Sequence, residues 1–93
     1  MTLSGVGALW PSAENYARFK EACADQMPDT VEEYRASAGA HLDALAARGV
    51  AVTRLSFDPD DLAAWAAKQG TPVNSRARAA FAGLLFAERG RAH

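Results

Sequence analysis

The chain has 93 residues, of which 49% are hydrophobic and 23% are charged. A chain of this length folds as one small domain, and a core plus a deep polar active-site cleft is hard to build from it. The formal net charge of −1 provides no overall field that would attract a nucleic acid or an anionic membrane. The composition therefore favours a small binding protein over an enzyme.

Cysteine content and hydropathy indicate the compartment. Cys23 is the single cysteine, which excludes an internal disulfide and a zinc site made of several cysteines. No apolar run approaches the ~20 residues that span a bilayer. The first ten residues lack the basic start of a signal peptide. These features predict a cytoplasmic protein without a membrane segment.

The first part of the chain is typical of an extended or irregular arm followed by a helix. Residues 2–10 contain two glycines among small and apolar residues, and the arm ends at Trp10. Ser12 is a suitable N-cap for a helix over about 13–25. The apolar residues of that helix recur at the spacing of one face, namely Tyr16, Phe19, Cys23 and Met27.

A second helix is predicted over about 30–48. Thr30 and Glu33 form a capping box, in which each side chain accepts a hydrogen bond from the backbone N–H of the other. Gly49 suits the end of the helix because glycine readily adopts a positive φ. The residues predicted to be buried are Val31, Tyr34, Ala38, Leu42 and Leu45.

Residues 50–57 change to a β-branched, alternating pattern that predicts a strand. The backbone of a strand needs a partner. Within the chain only the arm at residues 3–9 offers one, and the other candidate is a second molecule. Both alternatives stay open from the sequence.

Two further helices follow the strand. Asp58, as N-cap ahead of a proline, begins a helix over about 59–69, which Gly70 closes. Its inward residues are Leu62, Trp65 and Ala66. Asn74 caps a fourth helix over about 75–89, Gly90 is expected to end it, and the last three residues are expected to fray. The predicted fold is mainly α (α+β), with four helices and one short strand or two-stranded ribbon between helices 2 and 3.

The fourth helix carries two apolar stripes, whereas an ordinary surface helix carries one. The expected core stripe consists of Ala77, Phe81, Leu84 and Leu85. The second stripe is made of small residues and one aromatic residue, and it comprises Ala79, Ala82, Gly83 and Phe86. Either the helix is buried on both sides, or the second stripe binds another protein or a second copy of this chain.

A DNA-binding alternative rests on the order of helix 3, turn and helix 4, which resembles a helix–turn–helix. Arg76 and Arg78 open the second of these helices, where residues that contact bases lie. The long turn from Gly70 to Asn74 and the overall acidity argue against this interpretation.

We find no pattern that predicts catalysis, a metal or a cofactor. Cys23 and His41 form the only Cys–His pair of interest, and both have ordinary structural explanations as a buried thiol and a rim residue. Two histidines and one cysteine do not make a metal-ligand spacing. The acidic residues after position 57 are explained by the cap of helix 3 and its dipole.

Part of the chain carries a recognisable pattern, Val52-x-Arg54-x-x-x-Asp58-Pro59-Asp60-x-Leu62-x-x-Trp65 followed by Asn74-x-x-Ala77-Arg78-x-x-Phe81. Over residues 50–82 it resembles the C-terminal half of short bacterial and phage proteins to which no activity is assigned. The resemblance implies a bacterial or phage origin and carries no site residues with it.

These observations favour a non-catalytic protein-interaction module, that is, a small adaptor or inhibitor, with a phage-type inhibitor of a host defence complex as one version. The expected partner is another protein or a second copy of the chain. The alternative is a weak helix–turn–helix-like DNA-binding regulator. The second stripe of helix 4 supports the first function, and Arg76 and Arg78 support the second.

Overall fold

The computed structural model describes the backbone of residues 5–91 and the side chains of residues 5–89. The elements, in chain order, are strand β1 (Gly5–Leu9), helices α1 (Tyr16–Ala22) and α2 (Val31–Ala47), strand β2 (Ala51–Leu55), and helices α3 (Pro59–Gln69) and α4 (Ser75–Arg91). The protein is mainly α with a small two-stranded sheet, which confirms the predicted fold class. Within the described range, no helix combines the length and the apolar character needed to cross a membrane.

The partner of β2 is the N-terminal arm of the same chain. β1 pairs with β2 in parallel, in a register that runs from Gly5 opposite Ala51 to Leu9 opposite Leu55. The backbone N–H of Trp10 extends the pairing by donating to the carbonyl of Leu55 over 2.9 Å. Helices α1 and α2 form the crossover that a parallel pair requires. Residues 3 and 4 of the predicted arm lie outside the described part of the chain.

The two helices with strong capping residues begin where the sequence predicts. Both halves of the capping box of α2 are present, with Glu33 N 3.1 Å from Thr30 Oγ1 and Thr30 N 3.2 Å from Glu33 Oε1. Asp58 Oδ1 accepts from the backbone N–H of Asp60 over 2.9 Å at the start of α3. Gly70 ends α3 with a φ of 69°. Local capping chemistry is sufficient to fix these boundaries.

Helix α1 is shorter than predicted, because tertiary contacts end it early. Residues 13–15 form a turn, in which Ser12 and Asn15 each accept a hydrogen bond from the other's backbone N–H. At the other end, Cys23 is already extended, and the N–H of Ala24 donates to the carbonyl of Val73 over 2.8 Å. This bond draws the chain toward the α3–α4 turn and away from the helical path.

The core lies where the helices meet the sheet. Phe19 and Leu62 are fully buried, and Leu55 is buried beneath β1. Around Phe19, the rings of Tyr34 and Phe57 pack edge-on with centroids 5.5 and 4.9 Å away. The remaining buried hydrophobic residues include Leu9, Tyr16, Met27, Val31, Leu42, Ala66, Val73, Ala77, Phe81 and Ala82.

Two predictions for α4 are wrong. Leu84 was expected in the core, but it is 41% exposed. The cause is β1, which packs on the Phe86 side of α4 and so shifts the buried arc of the helix away from Leu84. Gly90 does not end the helix, which continues to Arg91. Arg91, the first of the three residues predicted to fray, is thus helical, and residues 92 and 93 lie outside the described range.

Candidate binding groove

An open groove of about 340 Å³ lies along β1, between α2 and α4. We refer to it as the β1 groove. Its lining consists of Val6, Gly7, Ala8 and Leu9 from β1, of Tyr34, Ala38, His41, Leu42 and Leu45 from α2, and of Ser75, Arg78, Ala79 and Ala82 from α4. Most of these side chains are apolar. The volume lies within the range of small-molecule and anchor-residue pockets, which begins at about 300 Å³.

The position of α4 beside β1 depends on two glycines. A Cβ atom on Gly7 would lie 2.7 Å from Leu55 Cδ1 and 2.8 Å from Phe86 Cβ. A Cβ atom on Gly5 would lie 3.2 Å from the tip of the Phe86 ring. At Gly7 only glycine allows so close an approach of helix and strand, whereas a Cβ at Gly5 would require the ring tip to move by a few tenths of an ångström. The two glycines therefore position the strand and the α4 wall of the β1 groove.

The four predicted interface residues do not share one environment. Ala79 and Ala82 both line the β1 groove, where Ala79 is exposed and Ala82 is buried. Gly83 is exposed and borders solvent. Phe86 is half-buried over the glycines of β1 within the same chain. Part of the small-residue stripe thus faces the groove, and its aromatic member lies against the strand.

The two arginines of the DNA-binding alternative also differ. Arg76 is exposed. Arg78 is not, since its side chain is only 15% exposed and its two terminal nitrogens bind the carboxylate of Asp25 at 2.7 and 2.9 Å. A bidentate pair of this kind occupies the donors that a base edge would need. Arg78 therefore lines the β1 groove as an ion pair with Asp25.

The hydrogen bonds from Arg78 lower the pKa of the Asp25 carboxyl below its usual value. Because the folded pKa is the lower one, the pair stabilises the folded protein above the unfolded pKa of about 4. This contribution is lost as the pH falls through the folded pKa. We expect Asp25→Asn to reduce the free energy of unfolding by up to about 1 kcal/mol at neutral pH, and the difference from wild type to shrink as the pH falls through the lowered folded pKa.

Urea denaturation followed by circular dichroism at several pH values tests this expectation. Asp43→Asn is the matched control, because Asp43 is highly exposed and lies 3.9 Å from its partner Arg54. If the free energy of unfolding of Asp25→Asn falls short of wild type by the same amount at every pH, the assigned role of the pair is contradicted.

The residues considered for nucleophilic chemistry are poorly suited to it. Burial raises the pKa of the Cys23 thiol, an effect that the neighbouring Arg78 guanidinium only partly offsets. A thiol of raised pKa is a weak nucleophile at neutral pH. His41 is exposed on α2 and lines the β1 groove, whereas Cys23 is not part of its lining. Over the described residues, no three His, Cys, Asp or Glu side chains are grouped closely enough to hold a metal ion.

Comparison with family models, with curated proteins and with solved structures finds no match for this chain. The sequence indicated the groove only in part, through Ala79 and Ala82. It did not predict that the N-terminal arm would form one wall, because a run of small and apolar residues does not show which helices an extended segment lies between.

Proposed function

We propose that this protein is a non-catalytic, cytoplasmic interaction module, a small adaptor or inhibitor that binds its partner through the β1 groove. The observation that carries the proposal is the open, largely apolar space between α2 and α4, with the small residues Ala79 and Ala82 on one wall. Small wall residues leave room for a side chain or backbone of a partner. Binding sites are usually concave and mostly apolar, as this groove is.

The charge distribution of the groove favours contact with an uncharged partner surface. Arg78 is neutralised by Asp25, so that His41 is the remaining lining residue with a basic side chain. An apolar partner surface loses little by desolvation in such a site. The same ion pair leaves a DNA-binding function to depend on Arg76, which makes the helix–turn–helix alternative the weaker proposal.

Blocking the groove tests the function. We expect Ala79→Arg to place a long charged side chain in the β1 groove and to abolish partner binding. Ala80→Arg is the matched control, because Ala80 is the next residue on α4, is also exposed and is not part of the lining. Since alanine-to-arginine changes on a helix surface cost only a few tenths of a kcal/mol, both variants should stay folded by circular dichroism.

The measurement is affinity capture with the tagged wild type and both variants, quantified by mass spectrometry. We expect at least one protein that wild type and Ala80→Arg retain and that Ala79→Arg loses by about tenfold or more, equivalent to about 1.4 kcal/mol. Sedimentation of the same three proteins covers the homodimer version. If no protein and no self-association distinguishes Ala79→Arg from Ala80→Arg, the proposed function is wrong.

A further inference from the structure

The outer edge of β1 carries unpaired backbone groups. The hydrogen bond from Trp10 N to Leu55 O fixes which residues of β1 face β2. In a parallel pair the residues alternate, so Val6, Ala8 and Trp10 bond toward β2, while Gly7 and Leu9 direct their N–H and C=O groups to the opposite side. Among the described residues, no backbone or side-chain group bonds to Gly7 or Leu9 on that side.

This unpaired edge is part of the β1 groove. Four consecutive residues, 6–9, contribute to the lining, so the groove follows the strand along its length. The α2 wall extends from Tyr34 to Leu45, a distance of about 17 Å at 1.5 Å per residue. Five residues of extended chain span the same distance of about 17 Å. The groove therefore has the length of a short strand and offers that strand a backbone to pair with.

We propose that the β1 groove binds an extended segment of a partner protein, about five residues long, which adds to β1 as a third strand. This inference rests on the proposed function and specifies how the partner is recognised. The N–H and C=O groups of Gly7 and Leu9 supply the backbone hydrogen bonds. Side chains at alternate positions of the segment contact the apolar walls, which selects for uncharged residues there.

The geometry favours a free peptide segment over a second folded copy. The edge of β1 lies between two helices, and pairing it with the β1 edge of another copy would bring both pairs of helices to the same place. A single extended peptide has no flanking helices that would clash with those of the groove. It also satisfies the unpaired backbone groups, which an amphipathic helix in the groove would leave without partners.

The probe is a phage-displayed library of random dodecapeptides, selected on the wild-type protein and counter-selected on Ala79→Arg. With a synthetic peptide from this selection, amide hydrogen exchange is measured by NMR. In the free protein, the amides of Gly7 and Leu9 should exchange fast and that of Ala8 slowly. With free peptide at about 100 times its Kd, exchange at Gly7 and Leu9 should slow by about 100-fold. N-methylation of the peptide should weaken binding when it is placed at alternate residues, whose N–H groups face β1, and should have little effect at the residues between them.

Several results would overturn strand addition. The selection could yield no peptide that Ala79→Arg fails to bind, or a bound peptide could leave hydrogen exchange at the Gly7 and Leu9 amides fast. N-methylation could weaken binding equally at every residue of the peptide. Self-association of the protein could already protect these two amides without any peptide. A partner captured through Ala79 whose binding leaves Gly7 and Leu9 unprotected would retain the proposed function and reject only the strand. Absence of any partner that depends on Ala79 would reject the proposed function itself.

Discussion

Replacing Phe81 with alanine is expected to lower the free energy of unfolding by about 3–5 kcal/mol. Phe81 is 5% exposed in the centre of α4, and its ring packs against that of Trp65 with centroids 5.5 Å apart. Domains of this size are stable by about 5–14 kcal/mol in total. The variant should therefore lose a large share of its stability, and urea denaturation should show its transition at a clearly lower urea concentration than that of wild type.

Leu84→Ala is the matched control, since Leu84 lies three residues further along the same helix. The sequence assigns both residues to one core stripe, but the structure leaves Leu84 at 41% exposure. We expect its replacement to cost less than about 1 kcal/mol. Equal losses for the two variants would show that α4 is rotated relative to the arrangement described above.

The contrast between Phe81 and Leu84 shows what local sequence patterns can and cannot predict. The starts of α2 and α3 could be predicted because the groups that satisfy the helix ends are within three residues of each other, as in Thr30 and Glu33. The exposure of Leu84 could not be predicted. It depends on where β1 packs, and β1, which ends at Leu9, is far along the chain from α4, which begins at Ser75. A helical pattern with two apolar stripes does not say which stripe another element will cover.

The β1 groove could not be predicted from the sequence for a related reason. Its walls come from three elements, and the unpaired edge exists only because the N-terminal arm pairs in parallel with β2. The alternation of Gly5 and Gly7 was the available signal, because glycines at every second position of an extended segment indicate one face in close contact with another element. The sequence offers the arm as a partner for the strand, but the pairing by itself does not indicate a groove.

Phe86→Asp is expected to destabilise the protein by about 2–4 kcal/mol. The ring of Phe86 covers Gly5 and Gly7, and aspartate would remove that contact while bringing a carboxylate to a half-buried site. Because Phe86 holds α4 on β1, hydrogen exchange at the amide of Ala8, which bonds to β2, should also become faster. Phe86→Leu serves as the control, and as an apolar replacement it should cost less than about 1.5 kcal/mol.

This variant separates two accounts of the small-residue stripe. If the stripe were a free surface up to Phe86, the aspartate variant would keep its stability and lose only its partner. If Phe86 supports the groove from within, the variant loses partner binding because β1 is no longer held in place. Ala79→Arg should then lose binding at unchanged stability, whereas Phe86→Asp loses both together. A stable Phe86→Asp protein with wild-type exchange at Ala8 would move the contact surface from the β1 groove to the outer face of α4.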